Sequence, residues 1–399
     1  MLAEGASPLG TMTGKPRRID GQMRFGMMWP NTASQNITSS VVAGRNPDPL
    51  DVTVHQELAR VAERIGLDYA FFADSYAASA PANLAAGHGE PRLLAPIWAA
   101  AVILATEHLG VVTTLHTRYL PAALIARIGA NLDAMSKGRW AWNAVPGVKA
   151  GEVDLFGGDN LPHARRYDQV REAVGAVKAL WAAGPGERVE HHGEFVDVAG
   201  AMAGPRPVQQ FPPVFSPGVS PAGVTTIADG CDFGFTAVVD DLAAVKDQVD
   251  QVAAACAAAG RAPGSVQVVG SVSVVLADTD EDATARYQWF LDSVDVEAGA
   301  GFAKFFLSGS ATYAALLDGL PWEEQVRRVA VGAGSTVLIG SAETVADGFV
   351  RIAERSGMKS FLLTPFLWAP EEVGKFGAVL DALRRRGAWT APADREWSW

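Results

Sequence analysis

Cysteine is nearly absent: of 399 residues only Cys231 and Cys256 carry thiols, so neither a disulfide framework nor a cysteine-built metal site has material. Positive charge is also short. Thirty-three Lys and Arg against 44 Asp and Glu leave −11, which excludes a phosphate-neutralising nucleic-acid surface. Apolar runs are core-sized rather than membrane-sized, and residues 1–22 form a polar lead-in without an apolar secretory segment. The expectation is a cytoplasmic protein that meets neither membrane nor nucleic acid.

Several motifs are missing too. No G-x-G-x-x-G lies between a strand and a helix, and there is no G-x-x-x-x-G-K-[ST] phosphate loop, which argues against a self-contained Rossmann dehydrogenase or a P-loop enzyme. No G-x-S-x-G elbow supports a serine hydrolase. The seven histidines lack zinc-ligand spacing, and the adjacent His191 and His192 point to opposite sides of a strand, so no metal is expected. Glu323-Glu324 and Glu371-Glu372 sit in polar helix starts, where they complement the macrodipole.

What is present is alternation. Short β-branched or aromatic runs at 23–29, 68–74, 109–116, 139–145, 213–217, 231–239, 265–277 and 359–366 are separated by helical patterns. Residues 51–65 place Val54, Leu58, Val61 and Ile65 on one face and stop at Gly66; Pro121 opens a helix carrying Leu124, Ile128, Leu132 and Met135. Val170, Val174, Val177 and Trp181 repeat the spacing, as do Leu242, Val245, Val249, Val252 and Cys256. Ser341 caps a last helix that closes at Gly357. Eight strands favour a (β/α)8 TIM barrel over an open doubly wound sheet, with residues 23–399 as one domain. Irregular stretches at 30–50, 75–93, 146–162, 184–212 and about 279–335 read as insertions that build a pocket with lids.

Small polar residues gather where these strands end: Asp74, Thr113, Thr114, Asn143, Ser216, Gly218 and Ser220. A buried polar side chain is costly without a partner, and one barrel end holding this many points to a ligand. His116 also ends a strand, where a structural or polar-rim role is favoured over acid–base work.

The segments KGRWAWNAVPG (137–147), Glu152, HARRYDQVREAVGAVKALW (163–181), HHGEF (191–195) and FSPGVSPAG (215–223) occur in order between MRFGMMWPN and FLLTPF. Together they resemble the bacterial luciferase-like flavin monooxygenases, nearest the group of pyrimidine, dimethyl-sulfone and alkanesulfonate monooxygenases. The resemblance implies FMN across the carboxyl ends of the strands, with Asn143 at the flavin edge and Glu152, Asp74 and Ser75 near it. Arg166 and Tyr167, with Gly218 and Ser220, are implied on the phosphate side. Thr114 and Asn143 align with residues that position dioxygen beside flavin N5, implying oxygen chemistry through a flavin-N5 peroxide or a C4a adduct. Trp29, Asn31, His116 and Trp142 are expected to line a substrate pocket.

The implied activity is a reduced-FMN-dependent monooxygenase, fed by a separate reductase and often oligomeric. It would cleave a C–N or C–S bond in a small molecule, with an N-heterocycle favoured over a sulfone or sulfonate. A deazaflavin hydride-transfer enzyme and an inactive flavin-storing barrel are the alternatives. Relatives read Asn-x-Val-[Thr/Ser]-Gly-Trp after the fourth strand, where this chain has Pro146 and Val148, so no named relative's substrate carries over.

Overall fold

The computed structural model describes residues 21–147, 150–158, 160–218, 220–309 and 317–397, so most of the 1–22 lead-in and Val148 lie outside the described residues. In chain order the strands are β1 (Arg24–Met28), β2 (Tyr69–Phe72), β3 (Gly110–His116), β4 (Trp140–Val145), the hairpin β5 (Val189–His192) and β6 (Asp197–Gly200), β7 (Val214–Pro217), β8 (Phe233–Ala237), β9 (Gln267–Leu276), β10 (Val337–Gly340) and β11 (Ser360–Leu363). Parallel pairing runs β1-β2-β3-β4-β7-β8-β9-β11 and returns to β1, closing an eight-stranded barrel. The open-sheet alternative is thereby removed.

Period-two alternation sorts each barrel strand into an inside and an outside. Tyr69, Phe71, Val112, Ala141, Phe215, Phe233, Val269 and Leu362 fill the interior, with the Phe215 and Phe233 rings stacked 4.2 Å apart. One step further along the same faces come Thr114, Asn143, Ser271 and Thr364, so an apolar plug is topped by a polar layer at the carboxyl ends. Ser273, another step along β9, meets Thr364 Oγ1 at 2.6 Å.

The outer face packs on helices. Trp140 and Trp142 both point outward, edge-on to Trp181 at 6.1 and 6.5 Å, with their indole N–H groups bonded to Thr113 Oγ1 and the Leu115 carbonyl. Trp142 therefore belongs to the barrel–helix layer and not to a pocket. Gly129 on the Ala122–Met135 helix lets that helix close down on Trp140, since a Cβ there would lie 2.3 Å from the indole. This contact turns the helix slightly from the expected face: Ile125, Ala126 and Leu132 are buried, whereas Leu124 and Met135 are exposed.

The expected caps are in place. Asp51 and Ser341 accept backbone N–H groups at the starts of the Val52–Ile65 and Ala342–Ser356 helices, and Gly66 and Gly357 end them at φ of +96° and +75°. Two insertions are more regular than expected. The 184–212 stretch contains the β5–β6 hairpin, and 279–335 holds the helices Asp280–Asp292, Val296–Gly309 and Trp322–Ala330. Among the described residues no helix is long and apolar enough to cross a membrane.

Candidate active site

Thr114 and Asn143 are register partners on β3 and β4, both buried on the inner face just below the mouth. The Asn143 amide Nδ2 donates to Thr114 Oγ1 at 2.8 Å, while its carbonyl Oδ1 is buried without a hydrogen-bond partner. Leaving such an acceptor unmet costs roughly 1–3 kcal/mol. A group that persists in this state at a barrel mouth points to a donor on a ligand.

The chain after β2 makes one wall. Asp74 accepts the backbone N–H groups of Ser75 and Ala95, each at 2.8 Å, and burial pushes its carboxyl up to about 6 despite those bonds and the nearby Arg92. His116, at the end of β3, has Nε2 3.3 Å from the Asp74 carbonyl and Nδ1 3.7 Å from Glu152 Oε1. Glu152 is buried and accepts the Tyr76 backbone N–H at 2.9 Å. The Tyr76 ring stacks on the His116 imidazole at 4.2 Å. Burial lowers the His116 pKa, and the Glu152 charge opposes that shift. Beside this wall an open cavity of about 900 Å³ is lined by Asp74, Ser75, Tyr76, Arg92, Leu115 and Phe156 among others.

Two helix N-termini form the far side. Arg166 and Tyr167 lie near the start of the His163–Ala182 helix, and Ser220 caps the Pro221–Gly230 helix through the Gly223 N–H at 3.3 Å. Gly218 and Gly223 face each other so closely that a Cβ on either would sit 2.7 Å from the other's Cα, so both must be glycine. The Tyr167 hydroxyl donates to the Pro217 carbonyl at 3.1 Å, and His163 Nε2 stands 3.3 Å from Ser220 Oγ. Arg166 reaches the Gly147 carbonyl at 3.4 Å through Nη1, and its Nε is buried without a partner. Paired helix starts, a guanidinium with unspent donors and a side-chain-free cradle suit a phosphate. Together with the unmet Asn143 acceptor, they fit a planar cofactor carrying a phosphate tail.

Of the expected pocket residues, Trp29 is turned away and Asn31 is engaged by protein groups. Trp29 lies past the end of β1, where its indole N–H donates to His55 Nδ1 at 3.0 Å in the helix layer, so it does not line the mouth. Asn31 is consumed internally: its amide donates to the Ala73 carbonyl and its Oδ1 accepts from Arg92 Nη1 at 2.9 Å. Sequence reasoning missed Tyr76, Arg92, Ser271 and Ser273. For the two serines the signal was available, because G-S-V-S-V alternates and puts them on the same face as Val269. Among the described residues no group of acidic, histidine or cysteine side chains could hold a metal.

The family model described as luciferase-like monooxygenase matches residues 23–360. Component A of the nitrilotriacetate monooxygenase of Aminobacter aminovorans is 29% identical over 397 residues, covering 84% of this chain and 86% of that protein. The FMNH2-dependent dimethylsulfone monooxygenase of Pseudomonas putida is 28% identical over 369 residues, covering 91% and 95%. Among solved structures, a riboflavin lyase with modified FMN and its substrate riboflavin superposes with a TM-score of 0.84 at 27% identity, covering 93% of each chain.

Proposed function

Because the chain belongs to the luciferase-like monooxygenase family and is a flavin-dependent monooxygenase, we propose that it uses reduced FMN and dioxygen to cleave a C–N or C–S bond in a small organic molecule. The observation that carries this reading is the Thr114–Asn143 pair, whose buried carbonyl oxygen is left over for a ligand at the floor of the mouth. An N-heterocycle is favoured over a sulfone or sulfonate. Support comes from likeness to a riboflavin lyase, whose substrate is such a heterocycle, together with the retained hydroxyl and amide.

In this reading Arg166, the Gly218–Gly223 cradle and the helix start at Ser220 hold the phosphate, and Ser75 and Asn143 flank the ring system. Reduced FMN, when bound, supplies the two electrons that activate dioxygen. Thr114 and Asn143 offer the oxidant a hydroxyl and an amide in fixed orientation. Tyr76, Tyr119 and Phe156 pack their rings together on the same wall and offer aromatic surface to a flat substrate.

The reduced cofactor comes from a separate reductase. The enzyme is read as a cytoplasmic homo-oligomer, and exposed apolar side chains on the Ala95–Ala105 helix, with Ile97 at 64% and Leu104 at 72%, support the oligomer. The test is oxygen uptake with photoreduced FMN across N-heterocycles, sulfones and sulfonates. Substrate-dependent uptake with a cleaved product is expected. Uptake with NAD(P)H alone would remove the reductase, and a deazaflavin eluting with the protein would overturn the oxygenase reading.

A further inference from the structure

We propose that Arg92 is a specificity-determining residue that grips a carboxylate on the substrate, so that the molecule cleaved is a small organic acid. The proposal rests on the reading above that the mouth works on a small organic molecule, and it narrows the class. Arg92 lies on the chain between β2 and the Ala95–Ala105 helix, in a stretch tied down twice: the Leu93 N–H donates to the Asn31 carbonyl at 2.9 Å, and the Ala95 N–H to Asp74 Oδ2 at 2.8 Å. Asn31 also aims the guanidinium, because its Oδ1 takes one Nη1–H at 2.9 Å while its amide is held by the Ala73 carbonyl just past β2.

An arginine carries five N–H donors, and this one finds a protein acceptor for one of them. Nε is buried without a hydrogen-bond partner, and no carboxylate among the described residues comes within 4 Å of the guanidinium. Asp74 and Glu90 act on it only at longer range, Asp74 with both oxygens engaged by backbone N–H groups and Glu90 exposed to water. With Nη1 engaged, the edge left over is Nε–H beside Nη2–H, two parallel donors in one plane that match the two oxygens of a carboxylate. Gly89 has no side chain to cover this edge; a Cβ there would stand 3.4 Å from Nη2. A cation enclosed without a counter-ion is costly, and burial lowers the Arg92 pKa, so an anion at this edge supplies the partner that the protein does not. The cavity of about 900 Å³ fits the rest of such a molecule. Arg92 is the only cation among the described residues lining it, and Leu94, Pro96, Leu115, Ile128 and Phe156 make much of its surface apolar. One guanidinium offsets one charge, which suits a carboxylate on an apolar or aromatic body and not a phosphate dianion. Asp74 and Ser75 line the same cavity, so a molecule anchored at Arg92 extends toward the cofactor side of the mouth.

The test measures binding of matched acids and amides by calorimetry to protein supplied with oxidised FMN: nicotinate and nicotinamide, orotate and orotamide, and pyrrole-2-carboxylate and its amide. It compares wild type, Arg92→Met and Arg92→Lys. At least one acid is expected to bind wild type about tenfold or more tightly than its amide. Arg92→Met should bring that acid down to the level of its amide while leaving the amide and FMN within about twofold of wild type, and Arg92→Lys, which keeps the charge but not the fork, should fall between. Amides binding as well as their acids, no acid binding at all, or an acid preference that survives both substitutions overturns the proposal. Oxygen uptake with photoreduced FMN separates the two readings: an acid preference that depends on Arg92 but is accompanied by no uptake or cleavage overturns the monooxygenase reading and leaves the anchor standing.

Discussion

Replacing Asn143 by alanine separates function from stability in a way the geometry makes quantitative. The variant loses the Nδ2 bond to Thr114 Oγ1, present at 2.8 Å, which is worth about 1 kcal/mol. It also deletes the buried, unmet Oδ1, relieving roughly 1–3 kcal/mol of uncompensated desolvation. The two terms nearly cancel or favour the variant, so the flavin-free protein should be as stable as wild type or up to about 2 kcal/mol more stable. Equilibrium urea unfolding of the flavin-free proteins measures this through the midpoint at constant m-value. The same substitution should weaken FMN binding by about tenfold, the loss of one buried hydrogen bond. It should also raise the peroxide released per reduced FMN consumed. A loss of about 3 kcal/mol or more in the flavin-free protein would mean that Oδ1 is satisfied internally and is not reserved for a ligand.

Other outcomes follow from the same geometry. Arg166→Met should raise the FMN dissociation constant by about tenfold while leaving riboflavin, which lacks the phosphate, unchanged; equal losses for both would remove Arg166 from the phosphate site. Gly129→Ala forces a methyl to within 2.3 Å of the Trp140 ring and should cost about 1–3 kcal/mol in urea unfolding. A neutral result there would mean that the helix slides freely on the barrel. His55 accepts the Trp29 indole N–H on Nδ1 and donates to the Pro49 carbonyl at 2.9 Å, and burial lowers its pKa below 6.5. A depressed histidine stabilises the fold above its unfolded pKa, and that contribution is lost as pH falls through 6.5 toward the folded value. Wild type should therefore lose more stability between pH 7.5 and 5.5 than His55→Gln does, and identical slopes would refute the buried-neutral assignment.

The architecture was legible because each βα unit carries redundant marks. The eight strand runs, the cap at Ser341 and the stop at Gly66 all recur in the fold. Orientation within the barrel was harder to read. Strands of a barrel are buried on both faces, so neither polarity nor size tells which way Trp142 and Asn143 point. Only the neighbours decide: Trp181 accommodates the indole outside, which leaves Asn143 inside. Trp29 continues the outward set of Phe25 and Met27, with its N–H still bonded to the Phe71 carbonyl, so alternation along β1 carries it into the helix layer. The 279–335 stretch read as irregular because its described helices are short and unlike, from the acidic start of Asp280–Asp292 to the apolar Val296–Gly309, although Thr279 followed by Asp280, Glu281 and Asp282 is a legible helix start.

The ten-residue β9 has a consequence for how the fold changes over time. Its first half, Gln267–Val272, is shared by β8 and β11 and seals the cylinder, whereas Ser273–Leu276 pairs with β10 above the rim. Closure and superstructure thus draw on separate stretches of a single strand. The helical cassette mounted between β9 and β10 is free to be lengthened, exchanged or rebuilt by descent or by design, while the ladder beneath keeps the cylinder shut.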